Sequence, residues 1–122
     1  MLILDVKWQI VFYQDRQGNI PVQDFIIEQS AKVKAKILRY IDLLQEFGLS
    51  LGRPYVEKLR GSDVWELKMR HGSDYYRILY FASSERRFVL LHAFLKKTEK
   101  TPKTEIDIAQ DRISDYQARY SR

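Results

Sequence analysis

From residue 6 the chain alternates: Val6, Trp8, Ile10 and Phe12 are set against Lys7 and Gln9, the two-residue period of a strand with one buried face. Arg16-Gln17-Gly18-Asn19 then marks a turn. Pro21 suits the first turn of a helix, where its missing N–H leaves nothing unsatisfied. The period changes from there. Val22, Phe25 and Ile26 recur at spacings of three and four and predict a short helix. Ser30 is placed to cap a longer one, with an apolar stripe of Val33, Ile37, Ile41 and Leu44 and a stop at Gly48. Lys32, Lys36 and Arg39 fall on the other side of that helix, and a solvated face accounts for them more simply than RNA contact does.

Gly52-Arg53-Pro54 interrupts the pattern, and a two-residue period returns from Val64 to Arg70. Trp65, Leu67 and Met69 share one side of this strand, with Glu66, Lys68 and Arg70 on the other. After the turn His71-Gly72-Ser73-Asp74, residues Tyr75 to Phe81 are so rich in aromatic and branched side chains that they predict a strand covered on both faces. Ser83-Ser84-Glu85 turns the chain into a third apolar strand, Phe88 to Leu95. Turns this short join antiparallel neighbours, so the three strands form a meander. Thr101-Pro102 starts a last helix, with Thr as its cap and a stripe of Ile106, Ala109, Ile113 and Tyr120. The expected fold class is α+β: a small antiparallel sheet in the order β-α-α-β-β-β-α, with helices packed mainly on one face.

A chain of 122 residues, 45% hydrophobic and with no repeat or linker-like tract, fits one domain over residues 1–122. It has no cysteine, which excludes disulfides, thiol nucleophiles and cysteine-held metals. MLILDVKWQIVFYQD has neither the basic start nor the small-residue cleavage site of a signal peptide, and no apolar run is long enough to cross a bilayer, so the expected address is the cytoplasm. The net charge of +5 lies wholly in residues 53–100, which hold eleven basic and six acidic side chains. Such a local excess focuses a field on a polyanion, although an uneven solubility charge has the same composition.

Catalytic motifs are few. The chain has no glycine-rich phosphate loop, no serine elbow and no paired-histidine motif. With two histidines and scattered acids, neither a metal site nor a cofactor is expected. A cationic set on the meander remains. Lys68 and Arg70, two apart on one strand, emerge from the same face. Arg77 sits among Tyr75, Tyr76, Tyr80 and Phe81, where a guanidinium is costly to bury without a partner. Two accounts stand open: an ion pair with Glu66 across the hairpin, or a fixed two-pronged grip on phosphate. Lys96, Lys97 and Lys100 cluster where the third strand runs out, as a solvated tail or a phosphate clamp. His92, in phase with Phe88, Leu90 and Phe94, is expected in the core, and His71 is expected to be an exposed bystander.

LGRPYVEKLRG (51–61), VWELKMR (64–70), DYYRILYF (74–81) and LLHAFLKKTEKTPKTEI (91–106), after the two-helix start IPVQDFIIEQSAKVKAKI (20–37), resemble successive stretches of the phage-derived HigB-like branch of the RelE/HigB/ParE toxin superfamily. The resemblance implies a type II toxin: a ribosome-dependent, metal-independent mRNA endoribonuclease, held inactive by a helix-turn-helix antitoxin encoded beside it. It places a catalytic arginine at Arg77 and a basic partner at Lys68, with the basic group after the last strand at Lys96 and Lys97. Glu66 departs from the pattern, standing where relatives carry a lysine, and the tyrosine or histidine near the relatives' C-terminus has no clear counterpart in Tyr116 or Tyr120. The chemistry expected is attack of an RNA 2′-OH on its adjacent phosphate, with Arg77 and Lys97 stabilising the developing charge. Lys68 is the expected base, its pKa lowered by neighbouring cations, and Arg70, Lys96 and Lys100 bind RNA. Trp65 or the tyrosines near Arg77 would stack a base, core packing being the simpler account of Trp65. Two alternatives are a ParE-like inhibitor of DNA gyrase, which the Lys68/Arg77/Lys97 set argues against, and an RNA-binding regulator without catalysis, which the missing terminal base leaves open.

Overall fold

The structure, a computed structural model, describes residues 7–96 and 100–120. Among them the chain forms β1 (Gln9–Phe12), α1 (Pro21–Ile27), α2 (Ala31–Phe47), a 3₁₀ turn (Gly48–Ser50), β2 (Val56–Lys58), β3 (Trp65–His71), β4 (Asp74–Ser83), β5 (Arg87–Lys96) and α3 (Lys103–Tyr120). The strands make one sheet in the order β1-β5-β4-β3-β2. The α+β class and the β3-β4-β5 meander are as expected. Two details of the sheet are not. β1 runs parallel to β5, with Gln9 opposite Arg87, so the sheet is mixed. β2, which pairs Val56 with Leu67, was not foreseen, because three residues at a sheet edge are too short to show a period.

α1 and α2 cover one face of the sheet and α3 the other. On the first face Val22, Ile26, Val33, Ile37, Ile41 and Leu44 meet Leu67, Met69, Ile78, Tyr80, Phe88 and Leu90. On the second, Ala109, Ile113 and Tyr116 meet Leu79, Phe81, Val89, Leu91 and Phe94. Helices therefore lie mainly, though not wholly, on one face. Tyr116 completes the buried stripe of α3, and Tyr120 is exposed. Of the first strand, Val6 lies outside the described residues, and Trp8 stacks on Phe88 with ring centroids 4.1 Å apart.

Local signals set several ends. Ser30 Oγ accepts from the Val33 N–H at 3.3 Å and caps α2. Gly48, at φ +58°, ends that helix, and a Cβ there would stand 2.7 Å from Cδ1 of the Trp8 indole. Both the backbone angle and the close approach of Trp8 require glycine. α3 is tied to the chain after β1 through Asp115, which accepts from the Tyr13 hydroxyl at 2.7 Å, Arg16 Nε at 2.8 Å and Arg119 at 2.6 Å. Those donors, Tyr13 first, hold the Asp115 carboxyl down at about 2.

A bulge at Leu79/Tyr80 changes the phase of β5. Leu90 pairs with Tyr80 and His92 with Leu79, so Leu91 is the extra residue. Phe88 and Leu90 face α1 and α2, whereas His92 and Phe94 turn to the α3 side. The expectation that His92 shares a face with Phe88 and Leu90 is corrected accordingly.

Candidate functional site

The β3-β4 register sets Lys68 directly opposite Arg77, and Arg70 opposite Tyr75. Paired residues share a face, so the alternation of β3 delivers Lys68 and Arg70 beside Arg77, on the side away from α1 and α2. From there an open cleft of about 540 Å³ reaches around the sheet edge, where β3 runs past the end of β2, toward α2. It is lined by Tyr55 and Glu57 at β2, Lys68 and Arg70 of β3, Tyr75 and Arg77 of β4, Tyr40 of α2 and Lys100. Four of the expected site residues, Lys68, Arg70, Arg77 and Lys100, thus meet in one place. Lys96 pairs with Tyr75 on the neighbouring strand and shares this face, but it is not among the lining residues. Lys97 lies outside the described residues.

Arg77 forms the floor. It is 3% exposed, as is Glu66, and its Nε lies 3.7 Å from Glu66 Oε1. The ion pair left open by the sequence is therefore present, and because Arg77 also lines the cleft it does not displace the phosphate reading. Burial pushes the Glu66 carboxyl above its ordinary range, while the Thr101 hydroxyl and Arg77 pull it back down. Thr101 donates its hydroxyl to Glu66, so the residue expected to cap α3 instead joins the helix entrance to the floor of the site.

The rim is accessible. Lys68 Nζ lies 3.5 Å from Glu57 Oε1, and Arg53 reaches the same oxygen at 3.3 Å. Among the described residues Glu57 is the one acid lining the cleft. It escaped notice in the sequence because its strand did, and the only available signal was a lone glutamate in a basic stretch. The guanidinium carbons of Arg70 and Arg77 lie 5.2 Å and 5.4 Å from the centre of the Tyr75 ring, within cation–π range. Tyr75, Tyr55 and Tyr40 thus supply aromatic surface among the cations. Trp65 packs against the core and is not among the lining residues.

His92 belongs to a separate network. Its Nε2 lies 2.6 Å from Glu105 Oε2, and Arg112 approaches Nδ1 at 3.3 Å. A donor at Nδ1 requires a lone pair there, so the ring is neutral with its proton on Nε2. Burial, opposed by Glu105, keeps its pKa below the ordinary histidine value. Its role is to tie β5 to the first turn of α3. Among the described residues no group of three His, Asp or Glu side chains is placed to hold a metal ion, and no helix is long and apolar enough to cross a membrane.

Comparison with known proteins bears on the same segments. Among the curated proteins similar to the chain are two named Probable endoribonuclease HigB1, from Mycobacterium tuberculosis strains CDC 1551 / Oshkosh and ATCC 25618 / H37Rv, each 39% identical over 57 residues. Those residues are 47% of this chain and 44% of each relative, so the match spans less than half of either protein. A family match runs over residues 24–114, from α1 through most of α3, and takes in every residue lining the cleft. On that extent, the chain belongs to the family described as Phage derived protein Gp49-like (DUF891).

Proposed function

We propose that the protein is the toxin of a type II toxin–antitoxin pair: a single RelE/HigB-like domain that cuts mRNA on the ribosome in the cytoplasm without a metal. The observation that carries this reading is the meeting of Lys68, Arg70, Arg77 and Lys100 with three tyrosines in one open cleft. The name endoribonuclease borne by its partial relatives supports it. RNA offers what such a cleft recognises, phosphates for the cations and base faces for the rings.

In the proposed reaction the 2′-oxygen attacks the adjacent phosphorus, the bond from phosphorus to the 5′-oxygen breaks, and a 2′,3′-cyclic phosphate forms. Arg77, fixed by Glu66 and the sheet, stabilises charge on the phosphoryl oxygens, with Lys96, the last residue of β5, and Lys97, next in the sequence, assisting. Lys68 and Glu57 form the acid–base pair lining the cleft: the pair takes the 2′-hydroxyl proton and returns a proton to the departing 5′-oxygen, which leaves as a 5′-hydroxyl. Arg70 and Lys100 hold flanking phosphates. A helix-turn-helix antitoxin encoded beside the gene would cover this basic surface. The test is incubation of purified protein with ribosomes programmed with a defined mRNA. Fragments ending in 2′,3′-cyclic phosphate, formed on ribosomes and not on free mRNA, are expected; intact mRNA on the ribosome would overturn the proposal.

A further inference from the structure

Beside the first cleft lies a second of about 680 Å³, and the two share Tyr40 and Tyr55. Its walls include Lys32, Lys36 and Arg39 of α2 and His71 at the end of β3, and among the described residues no acid lines it. The three cations follow one another at spacings of four and three along a single helix face. Like charges at such spacings slightly destabilise a helix, so helix stability does not account for the stripe. Nor does a plain solvated face, since the stripe lines a concave surface. Lys32 and Arg39 are exposed, and among the described residues neither is in an ion pair. Lys36 donates its ammonium to the backbone carbonyl of Arg70, so the strand that sends Arg70 into the first cleft is fastened to the wall of the second. Between the clefts Tyr40 and Tyr55 stand edge to face, with ring centroids 5.5 Å apart.

An unneutralised cationic groove that opens through an aromatic pair into a second cationic cleft matches one polymer best, a single RNA strand with phosphates at a regular spacing and bases free to stack. We propose that the RNA strand seated in the first cleft continues across Tyr40 and Tyr55 and lays its flanking phosphates along Lys32, Lys36 and Arg39. This rests on the reading of the first cleft as the RNA site. The groove would then contribute affinity for length and register on the strand, outside the reacting group.

The test uses two non-cleavable 2′-O-methyl RNAs with a common core, a tetranucleotide followed by NMR titration and a labelled dodecanucleotide followed by fluorescence anisotropy at several salt concentrations. The variant is K32A/R39A, which spares the Lys36 tie. Its affinity for the dodecanucleotide should fall about tenfold, and the slope of log affinity against log salt should shrink by about 1.4, the share of two single-strand phosphates. Tetranucleotide binding and the melting temperature should not change. Unchanged dodecanucleotide affinity and slope would overturn the inference, including the case in which the variant loses affinity only for ribosomes, which would assign the groove to ribosomal RNA. An equal loss for both RNAs would also overturn it, since the groove would then act on the first cleft and not on a flanking strand. Lys68→Ala separates the two readings. If it weakens neither RNA while K32A/R39A weakens the longer one, the first cleft is not the RNA site, and both the proposed function and the continuous path fail. If it weakens both RNAs, the function stands whatever the groove does.

Discussion

Replacing Arg77 by Ala removes one half of a buried ion pair. Arg77 and Glu66 are each 3% exposed, and the second carboxylate oxygen of Glu66 is taken by Thr101. Breaking such a pair from one side costs about 3–5 kcal/mol, because a buried charge loses its compensation. Glu66 has an escape: burial already favours its neutral form, and without Arg77 it gains a proton more readily. The cost should therefore fall near the lower end, about 3 kcal/mol. In a chain of this length that is a drop in melting temperature of roughly 10 °C. The pH dependence has a definite sign. A carboxyl whose folded pKa is raised favours the folded state at low pH, and that advantage fades as pH rises past the unfolded value of about 4.5 and through the folded one. The deficit of Arg77→Ala should thus be larger at pH 8 than at pH 5. Thermal melts of wild type, Arg77→Ala, Glu66→Gln and the double variant close a mutant cycle, and the double variant should recover most of the loss. Cleavage on programmed ribosomes separates the second role. Glu66→Gln should remain active, and the refolded double variant should be slower by about 100-fold or more. A melting temperature for Arg77→Ala within 2 °C or so of wild type would refute the structural half of this reasoning, and a double variant that cuts at the wild-type rate would refute the catalytic half.

Other predictions concern the rim, the α3 junction and one turn. Glu57→Gln removes the one acid that lines the cleft among the described residues, so RNA affinity should rise severalfold while cleavage falls about tenfold or more, measured by anisotropy and single-turnover assays. A neutral His92 with a lowered pKa means that the unfolded state binds the proton first on acidification. Melting temperature should therefore fall as pH drops below about 6.5, and His92→Gln should remove that limb; an unchanged curve would remove His92 from the account. Glu85 and Arg86 take φ values of +62° and +56° in the β4-β5 turn. Glu85→Asn with Arg86→Gly should stabilise the fold by about 1 kcal/mol, read as a rise of several degrees in melting temperature.

What the sequence disclosed follows the range over which each signal acts. The α2 stripe, its Ser30 cap and the three meander strands rest on spacings within one element, and each formed where expected. Lys68 and Arg70 were legible as a pair because alternation is local, and their meeting with Arg77 needed only the short turn at His71 to fix the register. Features that depend on distant partners were not legible. The parallel pairing of β1 with β5 and the packing of α3 on the opposite face arise from tertiary contacts that leave no period in the sequence. The bulge at Leu79/Tyr80 inserts one residue, which was enough to reverse the face assigned to His92. Glu57 was hidden with its three-residue strand. Lys32, Lys36 and Arg39 show the same limit from another side: their helix face was correct, but its curvature into a groove required Tyr55 and His71 from elsewhere in the chain.

The central claim is that the cationic cleft cuts translated mRNA, and mapping transcript 5′ ends after brief induction in growing cells tests it most directly. Lys68→Ala, altered at a partly exposed position on the rim, serves as the control, and its melting temperature should stay close to that of wild type. Wild type should create new ends inside open reading frames that are being translated, and Lys68→Ala should create none. Growth arrest by the wild type without new ends, or equal cutting by Lys68→Ala, would contradict the account.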